Sequence, residues 1–394
     1  MAEIEKKVVH VCLAGSYNDG WSYHDNLLSQ YHKELGYDVT LITTPFVNDT
    51  DTDKYLYYKV GEYLNEYGIK IIRLPLRISQ KSKAVMRLRT YRGTLSVIEK
   101  EHPDILFIHC GQFWDIRAVL KYKKNNMNVK MFIDNHADFS NSAKTWFSYH
   151  ILHKMLWRSG IRKTIPYTEK YYGVLPARVD FLNKMYGIPK DKIELLVMGA
   201  DDKLVKKAKS LDSIKKNMEK YNVQSRDFLL VTGGKIDEAK WQIFNLLDCV
   251  KNYTDSRLKL IMFGPIVDTM KERVLQYVDN DKIMYLPWIE AEESYGLFAI
   301  ANLGVFPGRH SVYWEQAVGC GLPIMVKYWE GVEHVNLGGN CIFLTEDTAE
   351  EIRVKLQRLL AHEEEYAKMK AVAEEKGPNK FSYLNLAKRS IEIS

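Results

Sequence analysis

Apolar and polar positions follow two rhythms along this chain. Short β-branched or apolar runs ending in Gly, Asn or Asp are each followed by a stretch of helical length with one apolar face. That is the pattern of βα units around a parallel sheet. In the first half, VVHVCLAG (8–15), DVTLITT (38–44), KIIRLPL (70–76), DILFIHC (104–110), VKMFIDNH (129–136), TIPYT (164–168) and IELLVMG (193–199) predict strands. Trp21–Leu35, Ser82–Glu101 and Tyr171–Tyr186 predict helices between them. A second series starts afresh with DFLLVTGG (227–234), RLKLIMFG (257–264), KIMYLPW (282–288), LGVFPG (303–308), LPIMVKY (322–328) and CIFLT (341–345). The runs are unbroken, so these are interior parallel strands covered on both faces.

The restart predicts two doubly wound α/β domains, 1–200 and 201–380. A hinge is expected at Gly199–Lys203, and a helix over 381–392 after a Gly-Pro-Asn breaker at 377–379. The length agrees, because single cores stop growing near ~250–300 residues and this chain has 394.

Composition narrows the function classes. Hydrophobic content of 46% and charged content of 27% suit an ordinary soluble protein rather than a disordered or fibrous one. The N-terminus lacks the basic start and long apolar run of a secretory leader, and no stretch reaches the ~20 apolar residues of a membrane helix. A soluble, cytoplasmic protein is expected. The five cysteines, at 12, 110, 249, 320 and 341, are scattered and in no metal spacing, as for buried thiols in a reducing compartment. A net charge of +6 points only weakly to an anionic partner.

Ligands of parallel sheets bind beyond the carboxyl ends of the strands. Three such loops stand out in the second half. In VTGGKIDEAKW (231–241), Gly233 and Gly234 close a strand, and Lys235 and Lys240 flank the next helix. Glycine lets backbone approach a ligand, and paired lysines suit a diphosphate; a plain surface loop has the same letters. In VFPGRHSVYWEQAVGCGLP (305–323), the helix beginning near Ser311, Val312 and Tyr313 offers amides to an anion. Glu315, one turn in, could accept from vicinal hydroxyls or serve only the helix dipole. In LIMFGPIVD (260–268), Gly264 ends a strand and could line a base pocket.

In order and spacing these loops resemble the retaining glycosyltransferases of family 4, which have the GT-B fold: two Rossmann-like domains facing each other across a cleft. Lys235 and Lys240 take the places of the family's two diphosphate-contacting basic residues, and WEQAVGCGLP matches its Glu helix at Glu315, Ala317, Gly321 and Pro323. The hinge MGAD (198–201), the strand start at 102–105 and the closing segment 381–394, which in the family packs back on the first domain, extend the likeness over nearly the whole chain. One position departs: eight residues before Glu315, where the family has a sugar-contacting glutamate, stands Pro307 in a shorter loop. Arg309, His310 or Ser311 would have to replace that contact.

The resemblance implies transfer, with retention of configuration, from a UDP- or GDP-sugar to a hydroxyl acceptor such as a glycan or lipid-linked glycan in cell-surface polysaccharide synthesis. It puts Asp19, Gly20 and Trp21 on the acceptor side, His136 at the reacting sugar and Asp138 as a further candidate. For Asp19 and Trp21, helix capping and packing are the readings that compete with ligand contact. The basic residues would stand in for a divalent metal, so no metal or cofactor beyond the nucleotide-sugar co-substrate is expected. The letters DTD (51–53) read as a solvated turn. The alternative is a non-catalytic protein of the same fold that binds a nucleotide sugar or supports a partner transferase. The stretch 79–95 interleaves Lys81, Lys83, Arg87, Arg89 and Arg92 with apolar residues; it predicts either an amphipathic helix on an anionic inner membrane face or an ordinary solvated one. Nucleic acid is not an expected partner, since the basic residues accompany no aromatic stacking module.

Overall fold

The computed structural model describes residues 6–49, 55–77 and 87–392. Within them the chain forms two compact units, Met1–Val197 with Leu386–Ser394, and Met198–Asn385. The first carries β1 (Lys7–Cys12), β2 (Asp38–Thr43), β3 (Phe46–Asn48), β4 (Tyr55–Tyr57), β5 (Gly61–Leu64), β6 (Lys70–Arg73), β7 (Ile105–Ile108), β8 (Lys130–Asn135), β9 (Lys170–Gly173) and β10 (Ile193–Leu195). Its eight-stranded sheet has the order β10-β9-β8-β7-β1-β2-β6-β5 and is parallel except for the edge strand β5. The short strands β3 and β4 pair separately.

The second unit holds β11 (Phe228–Gly233), β12 (Leu258–Phe263), β13 (Ile283–Leu286), β14 (Leu303–Phe306), β15 (Ile324–Lys327) and β16 (Cys341–Leu344). They form a parallel sheet in the order β13-β12-β11-β14-β15-β16. In both sheets the order reverses beside the first strand, and successive residues of the interior strands are buried on both faces, as the unbroken apolar runs predicted.

Three expectations need correction. TIPYT is no strand: Ile165–Tyr167 is a single helical turn, because Pro166 lacks the N–H a ladder requires. The strand comes just after it, as β9, where the side chains of Tyr171 and Tyr172 are buried. The helix expected from Tyr171 therefore starts only at Pro176, a residue suited to a first helical turn. Gly-Pro-Asn at 377–379 does not break a helix either, since Glu363–Lys380 runs through it. A Cβ on Gly377 would lie 1.9 Å from the Val318 carbonyl oxygen; the glycine serves close contact with the helix Tyr313–Gly319, not a chain break.

The basic stretch 79–95 falls partly outside the described residues, as do the letters DTD. In its described part Arg87 and Leu88 are helical and Arg87 is exposed; the helix ends at Arg89, which has φ +50° and donates to the Gln112 carbonyl, and Arg92 donates to the Arg77 carbonyl. The regular helix begins at Thr94. Of the closing segment, Phe381–Asn385 stays with the second unit, where Ala200 N–H donates to the Phe381 carbonyl at 2.7 Å, and Leu386 onward joins the first. Among the described residues, no helix is long and apolar enough to cross a membrane.

Candidate functional site

In the second unit the carboxyl ends of β11 and β12 meet at two glycines. Gly234 and Gly264 have φ of +110° and +112°, and a Cβ on Gly264 would lie 2.5 Å from the Gly234 carbonyl oxygen. Only glycine permits both the left-handed backbone and the contact. Over Gly234 lie Ser311 Oγ and Lys240 Nζ, 3.3 and 3.4 Å from where a Cβ would stand, with the Tyr313 ring at 3.5 Å. The absent side chain leaves a recess lined by Gly233, Gly234, Lys235, Lys240, Gly308 and Ser311, among others.

The short turn Glu238–Lys240 delivers Lys240; Asp237 caps it by accepting from Ala239 N–H at 3.1 Å. The lysine stem lies along Gly308, where a Cβ would stand 3.1 Å from Lys240 Cβ. Burial lowers the Lys240 pKa from its ordinary value; Lys235 pushes the same way and Asp237 opposes. An ammonium destabilised by burial and a second cation gains most from an incoming anion. Lys235 and Arg309 are exposed at the rim.

The helix begins at Tyr313 with Val312 as its cap and ends at Gly319. At seven residues, its dipole adds less than expected from the sequence, and the lysines and the Ser311 hydroxyl dominate. Tyr313 packs edge-on against Phe263 at 5.0 Å, fixing the floor of the recess.

Glu315 departs most from expectation. Its side chain is fully buried, and its carboxylate accepts from His310 Nε2 at 2.8 and 3.0 Å and from His334 Nε2 at 2.7 Å. Burial pushes its pKa up, but the charge and hydrogen bonds of His310 and His334 outweigh this and hold it down at about 2. The carboxylate expected to receive ribose hydroxyls is thus closed off by two imidazoles. His310, partly exposed, is what this loop presents instead. Sequence reasoning missed His334, which reaches Glu315 from the separate turn Glu333–Val335.

In the first unit, all four acceptor-side candidates have structural partners. Asp19 accepts from Tyr63 OH at 2.7 Å and faces the buried Arg73 guanidinium at 3.7 Å. Gly20 turns the chain at φ +74° and donates to Glu66 at 2.7 Å. Asp138 accepts from the Ser140 and Asn141 amides and faces Arg178, the work of a turn-forming residue. Trp21 packs edge-on against Tyr23. Among the described residues, no hydrogen bond or ion pair joins these groups to His136.

His136 instead belongs to a cluster that sequence reasoning missed. Asp134, at the end of β8, is buried and accepts from His109 Nδ1 at 2.8 Å and from Cys110 N–H at 2.9 Å. His24 Nε2 and His136 Nε2 lie 3.6 and 3.4 Å from the same Asp134 oxygen, Oδ2. From His109 a row continues through His10 (2.8 Å) and His32 (3.0 Å) to the Ala387 carbonyl and Ser390 hydroxyl, each 3.0 Å from His32 Nε2. Burial pulls the His109 pKa down, but Asp25 and Asp134 outweigh it and hold it above the ordinary value. Burial lowers His24 to about 3 and His32 to about 4, so both are neutral. A signal for the cluster existed: His10, His109 and Asp134 are polar residues inside or closing runs otherwise buried on both faces.

No family profile and no curated protein matches the chain. Solved structures do. A glycosyltransferase from Rickettsia africae superposes with a TM-score of 0.69 at 16% identity, over 99% of this chain and 98% of that one. Sucrose-phosphate synthase from Thermosynechococcus elongatus gives 0.67 at 13%, over 98% and 97%. HepE of Anabaena, in complex with UDP and glucose, gives 0.66 at 12%, over 98% of each chain. At these identities the likeness establishes the fold, which is GT-B.

Proposed function

We propose that the chain transfers a sugar, with retention of configuration, from a nucleoside diphosphate sugar to a hydroxyl acceptor, a glycan or lipid-linked glycan. The observation that carries this is the placement of Lys240 Nζ and Ser311 Oγ over the side-chain-free Gly234, beside Lys235. Such a recess accepts a diphosphate: backbone approaches closely, a hydroxyl donates, and two ammonium groups meet the charge. That HepE, with the same fold, was solved with UDP and glucose supports the reading.

Cleavage of the sugar–oxygen bond leaves charge on the diphosphate, and a fixed cation is worth more to that developing charge than to the ground state. Lys240 is fitted to that role because burial already disfavours its unpaired charge. In this reading the lysines do for the diphosphate what a divalent ion would do, and the leaving phosphate itself helps take the acceptor proton.

A second reading has its own support. With Pro307 in place of a glutamate and Glu315 enclosed by His310 and His334, the chain could bind a nucleotide sugar without turning it over. A panel of UDP-, GDP- and TDP-sugars, assayed for released nucleotide with and without acceptors, separates the two. Release abolished by Lys240→Ala supports transfer; binding without release supports the second reading; neither refutes both.

A further inference from the structure

We propose that the first unit binds one divalent transition-metal ion of the zinc class through His24 Nε2, Asp134 Oδ2 and His136 Nε2. This site uses no residue of the diphosphate recess, and its metal binding is tested apart from sugar transfer, although it takes in His136, which the resemblance puts at the reacting sugar.

Metal bonds of ~2.0–2.2 Å to histidine nitrogen and aspartate oxygen place neighbouring ligand atoms of a tetrahedron ~3.3–3.5 Å apart. Two edges here measure 3.4 and 3.6 Å, from Asp134 Oδ2 to His136 Nε2 and to His24 Nε2. These are long for N–H···O hydrogen bonds, which cluster at ~2.7–3.2 Å, yet suit two ligands sharing an ion. The third edge, between the two imidazole nitrogens, lies within 4.8 Å. His136 is 29% exposed, so its ring can take up the slack. His136 Nε2 is shielded from solvent and has no hydrogen-bond partner among the described residues. Binding a metal would give that buried nitrogen a partner.

The surroundings agree. His109 Nδ1 donates to Asp134 Oδ2 and Cys110 N–H to Oδ1, the kind of outer contacts that fix a ligating carboxylate. β8 supplies Asp134, with His136 two residues on, and the first turn of the helix His24–Glu34 supplies His24. All three ligands therefore rest on or beside regular elements. Two imidazoles and one carboxylate leave a fourth position for water, the pattern of catalytic rather than structural zinc.

Two other groupings are less fit. Around Glu315 the His310 and His334 nitrogens sit at 2.7–2.8 Å, closed as hydrogen bonds and shorter than a tetrahedral edge. In the grouping of Cys12, Asp25 and His109, both His109 nitrogens are committed, to Asp134 and His10. Burial also pushes the Cys12 thiol away from its ligating thiolate form.

The test uses the full chain, stripped with chelator and titrated with Zn²⁺ and, for spectroscopy, Co²⁺. The expected result is one equivalent bound, with the intense visible bands of four-coordinate Co²⁺. His136→Ala, partly exposed and so expected to fold, should weaken binding by more than the ~10–100-fold that outer contacts contribute, and His109→Gln by about that range. Far-UV circular dichroism checks each fold, and His334→Gln should leave binding unchanged. The proposal is overturned by substoichiometric binding, by weak bands of a hydrated six-coordinate ion, by unchanged affinity in folded His136→Ala, or by loss of the metal in His334→Gln.

Discussion

Asp134 and Glu315 form a natural pair for comparison. Asp134 stands near the end of strand β8 and Glu315 in the helix that follows β14; each is a buried carboxylate held ionised by histidines. Around Glu315 two imidazole nitrogens close to 2.7–2.8 Å, a sealed clamp. Around Asp134 one imidazole closes to 2.8 Å and two stand back at 3.4 and 3.6 Å. Residue type alone therefore does not separate a structural carboxylate from a receptive one; the spacing of its partners does.

Glu315 is the position where removing one side chain should have the largest effect. Glu315→Ala leaves the nearly buried His334 and the partly exposed His310 without their buried acceptor, and one-sided removal of a buried ion pair costs ~3–5 kcal/mol. Chemical denaturation should show that loss in the second unit, and hydrogen exchange should locate it there. A loss below 1 kcal/mol would mean the clamp is not sealed.

Lys240→Ala should reduce nucleotide release by ~10²–10³-fold, the range for removing one donor from a developing charge, or ~2.7–4 kcal/mol. The fold should survive, because the lysine makes no ion pair among the described residues.

Acid sharpens the contrast further. The folded pKa of Glu315, about 2, lies below the ordinary value of 4.5. Its stabilising contribution is complete above roughly pH 4.5 and fades as pH falls toward 2. Thermal unfolding followed from pH 6 to pH 2.5 should weaken over that window, and Glu315→Gln should flatten the part due to this group. An equal slope in the variant would assign the acid sensitivity elsewhere.

The smallest expected effect is at Gly234. Alanine there must adopt φ +110° and stands 3.4 Å from Lys240 Nζ, which should cost ~1–3 kcal/mol of strain. Calorimetry should show UDP affinity falling more than stability does. Unchanged affinity would separate Gly234 from the ligand.

The fold was largely legible because buried parallel strands leave unbroken apolar runs, and these needed no partner to be read. Where the reading slipped, a proline was the cause. Pro166 sits in a run with strand-like letters, and Pro378 lies inside a helix held by the contact of Gly377 with Val318. The recess around Gly234 was visible because Gly233 to Lys240 lie close in sequence and Ser311 follows another strand end. The histidine cluster was not, because residues 10, 24, 32, 109, 134 and 136 meet only once β8, β7 and β1 lie side by side. Glu315 looked open for the same reason: His334 arrives from nineteen positions away.

The return of Leu386–Ser394 to the first unit bears on how the protein is made. His32 finds its last partners, Ala387 and Ser390, on a segment translated roughly 190 residues after the rest of that unit. At ~5–20 residues per second, the nascent first unit waits about 10–40 s with the Nε2 of that imidazole lacking those two partners. During this interval the amino-terminal part has an open seam for chaperones to guard, and a fragment ending near residue 200 would keep that seam permanently.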